Sequence, residues 1–235
     1  STTRTAGSCM NSVRAITLIL AVSQPCRTAA FSRPSCTRAL MASASTSSAK
    51  GAEGFHPSFW NNIAGNYDKT SPKGDAYRDR RLEFLTSKKY LNKDDDVLDF
   101  ACATGGFAMS ISPLVRSVLG IDLADGMIRL AQAKVADDPS SNVAFDDKDI
   151  FDPSLDGRRF TVVTALNVFH LLPKPDMFVQ RIHALTAPNG LLICETPCMG
   201  SKPWYMRTLI SLAAMTGLVP QPDFWTKEGI EGIVA

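Results

Sequence analysis

Short apolar runs alternate with longer amphipathic segments along residues 55–235, and this alternation predicts strands that alternate with helices. The predicted strands cover residues 97–100, 117–121, 142–145, 159–166 and 191–194. The predicted helices cover residues 55–65, 76–90, 107–114, 124–136, 175–186 and 204–216, and a last helix begins at Thr226. Because parallel strands need crossover connections of this length, the pattern predicts a doubly wound, mostly parallel α/β sheet.

Polar side chains mark the ends of the predicted strands. Four strands finish in a carboxylate or an amide, and an acidic stretch follows the third one. These residues are Asp99, Asp122, Asn167 and Glu195, with Asp149 after the third strand. Because open α/β sheets bind ligands at the carboxyl ends of their strands, we expect these side chains to line one site.

The loop after Asp99 contains small residues, 101–105, before an apolar helical pattern begins at Phe107. Such a loop lets a ligand approach the backbone. The carboxylate of Asp99 would repel a pyrophosphate but suits an ammonium group, and one carboxylate such as Asp122 can accept from both hydroxyls of a ribose. With an acid after the third strand to accept from an exocyclic amine, the sequence predicts an adenosine that carries an amino-acid tail and no phosphate.

This arrangement resembles the class I S-adenosylmethionine-dependent methyltransferases over residues 55–235. The stretch 59–68 is similar to the amino-terminal lid of the quinone-biosynthesis-like subgroup, whose tyrosine contacts the cofactor. The resemblance implies a domain at 51–235, with a helical lid at 51–95 and a Rossmann-like core at 96–235 whose last strands are missing. The cofactor-binding residues that it implies are Tyr67, Asp99, Ala101, Cys102, Ala103, Gly105, Asp122, Leu123, Met127, Asp149, Ile150 and Asn167.

The resemblance also divides this set along the cofactor. Asp99 and Asn167 would lie at the methionine end, and Asp122 would bind the ribose. The residues expected around the adenine are Leu123, Met127, Asp149 and Ile150. His170, just past the fourth strand, is the acid/base candidate by position, and a structural role is its alternative.

The implied activity is methyl transfer from S-adenosylmethionine to a small acceptor, with a lipophilic or aromatic acceptor favoured. Two other functions stay open. A nicotinamide-dependent oxidoreductase would share the acid at the second strand end, although the sequence lacks Gly-x-Gly-x-x-Gly. A non-catalytic binding protein could keep the same fold.

Two features depart from the family pattern. Ala101 and Ala103 stand where the family has glycine, and an alanine forced to positive φ costs on the order of 1 kcal/mol. The family sheet continues with a sixth strand and an antiparallel seventh strand, whereas this sequence stops at Ala235, inside the preceding helix. We therefore expect a carboxy-terminal truncation that leaves the strand at 191–194 as an exposed edge and makes the chain fold poorly.

Charge separates the first fifty residues from the remainder. Six of the 25 basic residues and none of the 23 acidic ones lie in residues 1–50, so residues 51–235 carry 19 basic against 23 acidic side chains, a net charge of about −4. An acidic body of this kind disfavours a nucleic-acid partner, which needs a clustered basic face.

Residues 1–50 have the composition of a targeting segment, rich in Ser, Thr, Ala and Arg. From Met10, a single Arg14 precedes the apolar run 15–22, and small residues then precede Phe31. This order resembles the bipartite presequences of complex plastids, so we expect a plastid location. A mitochondrial presequence, or a disordered tail on a cytoplasmic protein, is the alternative.

The remaining candidates concern metals and membranes. The six cysteines match no disulfide framework and no zinc spacing, so we predict no metal site. No apolar run is long enough to span a bilayer. The apolar segment 204–215 has two interpretations, which are core packing and an exposed role as a lid over an apolar substrate or a membrane-surface contact.

Overall fold

A mixed β-sheet with helices on both of its faces forms the architecture. The computed structural model describes residues 3–6, 15–21, 57–70, 74–138, 141–216 and 219–234. The strands are β1 (Thr3–Ala6), β2 (Ala15–Ala21), β3 (Asp96–Phe100), β4 (Ser117–Asp122), β5 (Val143–Asp147), β6 (Phe160–Leu166) and β7 (Thr186–Pro197). The helices are α1 (Pro57–Thr70), α2 (Gly74–Ser87), α3 (Gly106–Ile111), α4 (Asp125–Ala136), α5 (Pro175–Leu185), α6 (Trp204–Met215) and α7 (Lys227–Val234).

Five strands run parallel in the spatial order β7-β6-β3-β4-β5. The order changes direction beside β3, which pairs with β6 on one side and β4 on the other. The predicted doubly wound, mostly parallel α/β sheet is therefore confirmed, and its switch point lies at the carboxyl end of β3, where such sheets bind ligands.

The antiparallel part of the sheet comes from the beginning of the chain. β2 pairs antiparallel with β7, from Ala15 opposite Pro197 to Ala21 opposite Leu191, and β1 pairs antiparallel with β2. The expectation of an exposed edge at 191–194 is therefore wrong, because β2 covers that edge. The run 15–21 is rich in β-branched residues, which suit a strand as well as the apolar part of a leader.

Successive residues of β3 point to opposite faces and enter two separate cores, as strand geometry requires. Val97 belongs to the core that contains Ile111 of α3 and Ile128 of α4. Leu98 belongs to the core that contains Ile182 of α5. Since both residues are fully buried, β3 is covered on both faces, and it is fixed firmly enough to position the side chains at its end.

Three elements have bounds that differ from the sequence prediction. The predicted turn at 188–190 lies inside β7, where Asn189 has a φ of 62° and the pairing with β6 changes register between Phe160 and Val162. The lid helix α1 runs past Gly65 to Thr70. The helix predicted at 107–114 ends as α-helix at Ile111 and continues as a 3₁₀ turn.

Helix α6 exposes its apolar side chains. Trp204 is 72% exposed, Leu209 is 63% exposed and Met215 is 82% exposed, and no residue of the helix is buried. The interpretation of 204–215 as core packing is therefore wrong within the described residues. No helix in the part of the chain that the structure describes is long and apolar enough to cross a membrane.

Candidate functional site

A cavity of about 390 Å³ opens at the carboxyl ends of β3, β4 and β6. The loop after β3 forms its floor, and α1 and α2 form the opposite wall through Trp60, Tyr67 and Arg81. Eight residues from the predicted set line it. These are Tyr67, Asp99, Ala101, Cys102, Ala103, Asp122, Met127 and Asn167. Of the five strand-end residues expected to line one site, Asp99, Asp122 and Asn167 therefore line this cavity, whereas Asp149 and Glu195 do not.

A narrow pocket of about 20 Å³ adjoins the cavity, since Ala101, Asp122 and Val168 line both. Its walls are mostly apolar, and the predicted residues Leu123 and Asp149 contribute to it. Together the two spaces provide a larger cavity that contains charged side chains and a small adjoining pocket with mostly apolar walls.

Asp99 is the most strongly perturbed acid in the cavity. It is 2% exposed, and Thr164 Oγ1 donates to its Oδ1 at 2.5 Å. Burial raises the pKa of Asp99 to about 7, although the hydrogen bond from Thr164 and the charge of Arg81 oppose the rise. A carboxylate whose ionisation is this costly is stabilised by a cationic ligand.

Asp122, at the end of β4, fastens the loop. Its Oδ2 accepts from the Ala103 N–H at 2.9 Å, and its Oδ1 accepts from the Ala124 N–H at 2.9 Å. Burial raises the pKa of Asp122 against these backbone hydrogen bonds. The residue therefore holds the loop against β4 while it faces the cavity.

The loop itself alternates between ordinary and left-handed backbone. Ala101 has a φ of 59°, Ala103 a φ of 50° and Gly105 a φ of 73°. The two alanines therefore occupy the conformation that glycine adopts without steric cost, as the sequence comparison with the family pattern anticipated. Gly105 lies outside the lining of the cavity, and a Cβ there would meet the Phe145 ring at 2.3 Å, so its role is to make the turn.

Asp149 supplies an unsatisfied acceptor beside the narrow pocket. Its Oδ1 accepts from the Phe151 N–H at 3.0 Å, whereas its buried Oδ2 has no hydrogen-bond partner. Burial raises the pKa of this carboxyl. A buried acceptor without a donor is costly, so Asp149 Oδ2 fits a ligand that brings an N–H group into the pocket.

The lid is attached to the core at two places. Near its start, Asn61 Nδ2 donates to Asp125 Oδ1 at 2.6 Å, and the Gly126 N–H donates to Asn61 Oδ1 at 2.9 Å. Near its end, Asp68 accepts from Thr104 Oγ1 at 2.5 Å and pairs with Lys134 at 2.8 Å. These contacts hold Trp60 and Tyr67 over the loop after β3.

Arg81 and Lys134 line the cavity but were not found from the sequence. Arg81 Nε and Nη2 donate to Glu195 Oε2 and Oε1 at 3.0 and 3.1 Å. The strand-end rule did single out Glu195. It could not single out its partner, because α2 also contains Arg78 and Arg80, and helical spacing alone does not show which arginine faces the site.

Gly105, Ile150 and His170 are the predicted site residues that line neither space. Ile150 is fully buried in the core. The His170 Nδ1 lies 3.3 Å from Thr196 Oγ1, and burial lowers the pKa of the imidazole to about 4. A 3₁₀ turn at Phe169–Leu171 follows the strand end, and it carries Leu171 rather than His170 into the cavity lining.

The described thiols are free and buried. These are Cys102, Cys194 and Cys198. Burial raises the pKa of Cys102 well above its usual range, so the thiol stays protonated and serves as a small packing residue rather than a nucleophile. Within residues that the structure describes, no three His, Cys, Asp or Glu side chains are grouped to hold a metal ion.

Comparison with known proteins identifies the class. Residues 71–230, more than half of the chain, match the methyltransferase domain family. The chain therefore belongs to that family.

Two curated relatives have names that refer to quinones. The chain is 25% identical over 141 residues to the ubiquinone biosynthesis O-methyltransferase of Coxiella burnetii, a match that covers 60% of this chain and 59% of that protein. It is 23% identical over 154 residues to the demethylmenaquinone methyltransferase of Lactococcus lactis, which covers 62% and 60%. The chain thus spans about three-fifths of the length of these relatives.

Solved structures share the fold. The YcgJ protein of Bacillus subtilis superposes with a TM-score of 0.56 at 15% identity, over 65% of this chain and 64% of that one. A complex of DhpI with S-adenosylhomocysteine superposes with a TM-score of 0.51 at 26% identity, over 63% of this chain and 70% of that one.

Proposed function

We propose that this chain transfers a methyl group from S-adenosylmethionine to a small molecule. The observation that carries the proposal is Asp99, a buried carboxylate that faces the cavity and accepts a hydrogen bond from the Thr164 hydroxyl group. Its burial is unfavourable unless a cation neutralises it. The ammonium group of an amino-acid tail supplies that cation, and the family and the DhpI complex support the same cofactor.

The residues present fit each part of this cofactor. Asp99 would hold the ammonium group, and Arg81, which is close enough to Asp99 to affect its pKa, would hold the carboxylate. Asp122 would accept from the ribose hydroxyls. The unpartnered Oδ2 of Asp149 would accept from the exocyclic amine of the adenine, beside the apolar wall that includes Leu123.

When bound, S-adenosylmethionine supplies an electrophilic methyl group that an acceptor displaces in line. The protein contributes alignment and exclusion of water. Trp60 and Tyr67 close the cavity from the lid side, and their rings are suited to contact with a positive charge. Asp99 and Arg81 would hold the amino-acid tail, so the acceptor would lie against the remaining, more apolar part of the cavity lining.

We propose a lipophilic or aromatic acceptor. The lining of the cavity also includes the apolar residues Phe107, Leu166, Val168 and Leu171. Apolar walls of this kind favour acceptors with extended apolar or ring surfaces. The names of the curated relatives, which refer to ubiquinone and demethylmenaquinone, support the same class of acceptor.

Titration calorimetry on the full chain with S-adenosylhomocysteine and with NAD tests the cofactor assignment. We expect S-adenosylhomocysteine to bind and NAD to give no heat. Binding of NAD alone would support the oxidoreductase alternative, and binding of neither would support a non-catalytic protein. Transfer of a labelled methyl group to hydroxylated quinols, but not to polar amines of similar size, would then support the acceptor class.

We also propose that α6 contacts an anionic membrane surface. Its exposed face carries Trp204, Tyr205 and Leu209, and aromatic residues of this type suit the boundary between lipid and water. Residues 196–222 contain Lys202 and Arg207 but no Asp or Glu, so the charge of the segment complements anionic lipids.

Co-sedimentation with vesicles tests this contact. We expect the chain to pellet with phosphatidylglycerol vesicles and far less with phosphatidylcholine vesicles. Leu209→Asp should abolish pelleting, whereas Leu130→Asp, at an exposed leucine of α4, should not. Equal pelleting of both variants would contradict the assignment to α6.

We propose delivery to a plastid by residues 1–50, supported by their basic, acid-free composition. If residues 1–50 are cleaved off, the mature protein lacks β2. Residues 15–21 therefore cannot serve both as part of a cleaved leader and as a strand of the mature protein. Fusion of residues 10–50 to a fluorescent protein and amino-terminal sequencing of the protein purified from its own cells decide the matter. A plastid signal with cleavage beyond residue 21 would support delivery, and a diffuse signal would contradict it.

A further inference from the structure

An ion pair joins α2, in the lid, to the carboxyl end of β7. The Arg81 guanidinium on α2 donates two hydrogen bonds to the Glu195 carboxylate at the end of β7, across 114 residues of sequence. Both side chains are largely buried, with 11% of Arg81 and 3% of Glu195 exposed. Arg81 lines the cavity, whereas Glu195 does not.

The geometry of this pair fixes the plane of the guanidinium. Both Glu195 oxygens engage the edge formed by Nε and Nη2, so rotation about the end of the arginine side chain is prevented. Phe107 adds a second restraint, because the Arg81 Cζ lies 5.3 Å from the centre of its ring. Glu195 is itself anchored, since its carbonyl accepts from the Asn167 N–H at 2.6 Å.

Stability does not account for such a pair. Burying two charges costs most of what their attraction returns, so a buried ion pair is weak grounds for a stabilising role. A fixed orientation is a separate benefit, because a guanidinium that is already aligned loses little freedom when it binds a second carboxylate. The pair is at the end of the cavity where Asp99 lies, and Arg81 acts electrostatically on Asp99.

We infer that Glu195 is a positioning residue that holds Arg81 in the orientation required to bind the carboxylate of the cofactor's amino-acid tail. This inference rests on the proposed function. Glu195 touches neither cofactor nor acceptor in this scheme, and it acts only through Arg81. Its effect should therefore be confined to ligands that carry the tail.

Two nucleosides separate this role from a structural one. S-adenosylhomocysteine carries the amino-acid tail, and 5′-methylthioadenosine has the same nucleoside and thioether without it. We expect Glu195→Gln to raise the Kd of S-adenosylhomocysteine about tenfold in titration calorimetry, while the Kd of 5′-methylthioadenosine changes less than twofold. Arg81→Met should raise the Kd of S-adenosylhomocysteine at least as much. Adding Glu195→Gln to Arg81→Met should raise that Kd no further.

The control is Asp125→Ala, which removes the acceptor of the Asn61 Nδ2 hydrogen bond, a lid contact other than the one that Arg81 makes. We expect it to change both ligands by the same factor. An equal rise in the Kd of both ligands in Glu195→Gln, or additive rises in the double variant, would overturn the inference and leave the proposed function intact. Failure of the unmodified chain to bind S-adenosylhomocysteine would overturn the proposed function and this inference with it.

Discussion

The two ends of β3 shift the pKa of an aspartate in opposite directions. At the amino end, Asp96 accepts from Arg116 and, at 2.6 Å, from Ser117 Oγ, and the hydrogen bond from Arg116 lowers its pKa against the effect of burial. At the carboxyl end, burial raises the pKa of Asp99 to about 7. The two acids are only three positions apart in the sequence, so environment rather than residue identity sets their opposite pKa shifts.

The contrast extends across the sheet. At the amino edge, Asp95 accepts from the Asn92 N–H at 2.7 Å and from Thr161 Oγ1 at 2.9 Å, and Asn142 Nδ2 donates to three backbone carbonyls. At the carboxyl edge, Asp149 keeps an unpartnered oxygen. The amino edge satisfies these polar groups within the protein, whereas the carboxyl edge leaves the buried acceptor Asp149 Oδ2 without a partner, at a cost in stability.

Substitution of each β3 acid by asparagine should give the largest difference between the two ends of the strand. Asp99→Asn keeps the shape of the side chain but removes its charge, so we expect S-adenosylhomocysteine to bind about 100-fold more weakly, a loss of about 3 kcal/mol for one partner of a buried charge pair. Asp96→Asn should change the Kd less than twofold and lower the melting temperature instead. Calorimetry and thermal melts on both variants measure the effects, and similar losses of affinity would contradict the division of the edges.

Affinity should depend on pH through Asp99. With a pKa of about 7, the carboxyl is mostly neutral at pH 6 and mostly ionised at pH 8. The affinity for S-adenosylhomocysteine should therefore rise about tenfold from pH 6 to pH 8. Calorimetric titrations across this range measure it, and Asp99→Asn should give a flat profile.

The stability of the unliganded chain should follow the opposite trend. The pKa of Asp99 is higher in the folded chain than the usual value for aspartate, so the folded state binds the proton more tightly than the unfolded state. Its contribution to stability is therefore present at low pH and is lost as the pH rises toward about 7. Thermal melts of the chain and of Asp99→Asn should converge at acid pH and diverge near neutrality. A constant difference would contradict the shifted pKa.

A smaller effect is expected at the adenine end. Asp149→Ala removes the unpartnered acceptor, and the loss of one hydrogen bond to the ligand corresponds to about 1 kcal/mol, or roughly fivefold in Kd. 5′-Methylthioadenosine is the suitable probe because it lacks the tail. Asp146→Asn, at a half-exposed acid of β5 that pairs with Lys148, serves as the control and should leave the Kd unchanged. Equal Kd values for both variants would show that Asp149 does not contact the base.

The smallest effect concerns strain in the loop. Since Ala101 and Ala103 have positive φ, Ala101→Gly and Ala103→Gly should each stabilise the chain by about 0.5 to 1 kcal/mol, after the entropy of the added glycine is taken into account. Ala108→Gly, in the ordinary backbone of α3, should destabilise it by about 1 kcal/mol. Denaturant titrations measure all three, and destabilisation by the loop variants would show that the left-handed backbone carries no strain.

Much of the sheet could be predicted because the patterns are local. Each parallel strand is a short apolar run, and Asp99, Asp122 and Asn167 are found at the edge simply because they follow such runs. Strands β1 and β2 could not be predicted, since the run at 15–21 has the same composition in a strand as in a leader. His170 was placed in the site by its distance from a strand end, but the 3₁₀ turn after β6 leads it toward Thr196 instead.

Local sequence patterns encode the order of strands and helices, the edge of the sheet where the cavity lies and the acids at that edge, because side-chain periodicity and turn residues act over a few neighbours. Which charged groups pair with each other depends on the packing of the whole chain. Arg81 meets Glu195 across 114 residues, and burial raises the pKa of Asp99 at one end of β3 while the hydrogen bond from Arg116 lowers the pKa of Asp96 at the other. Desolvation and long-range pairing depend on the packing of distant segments, and no local pattern encodes them.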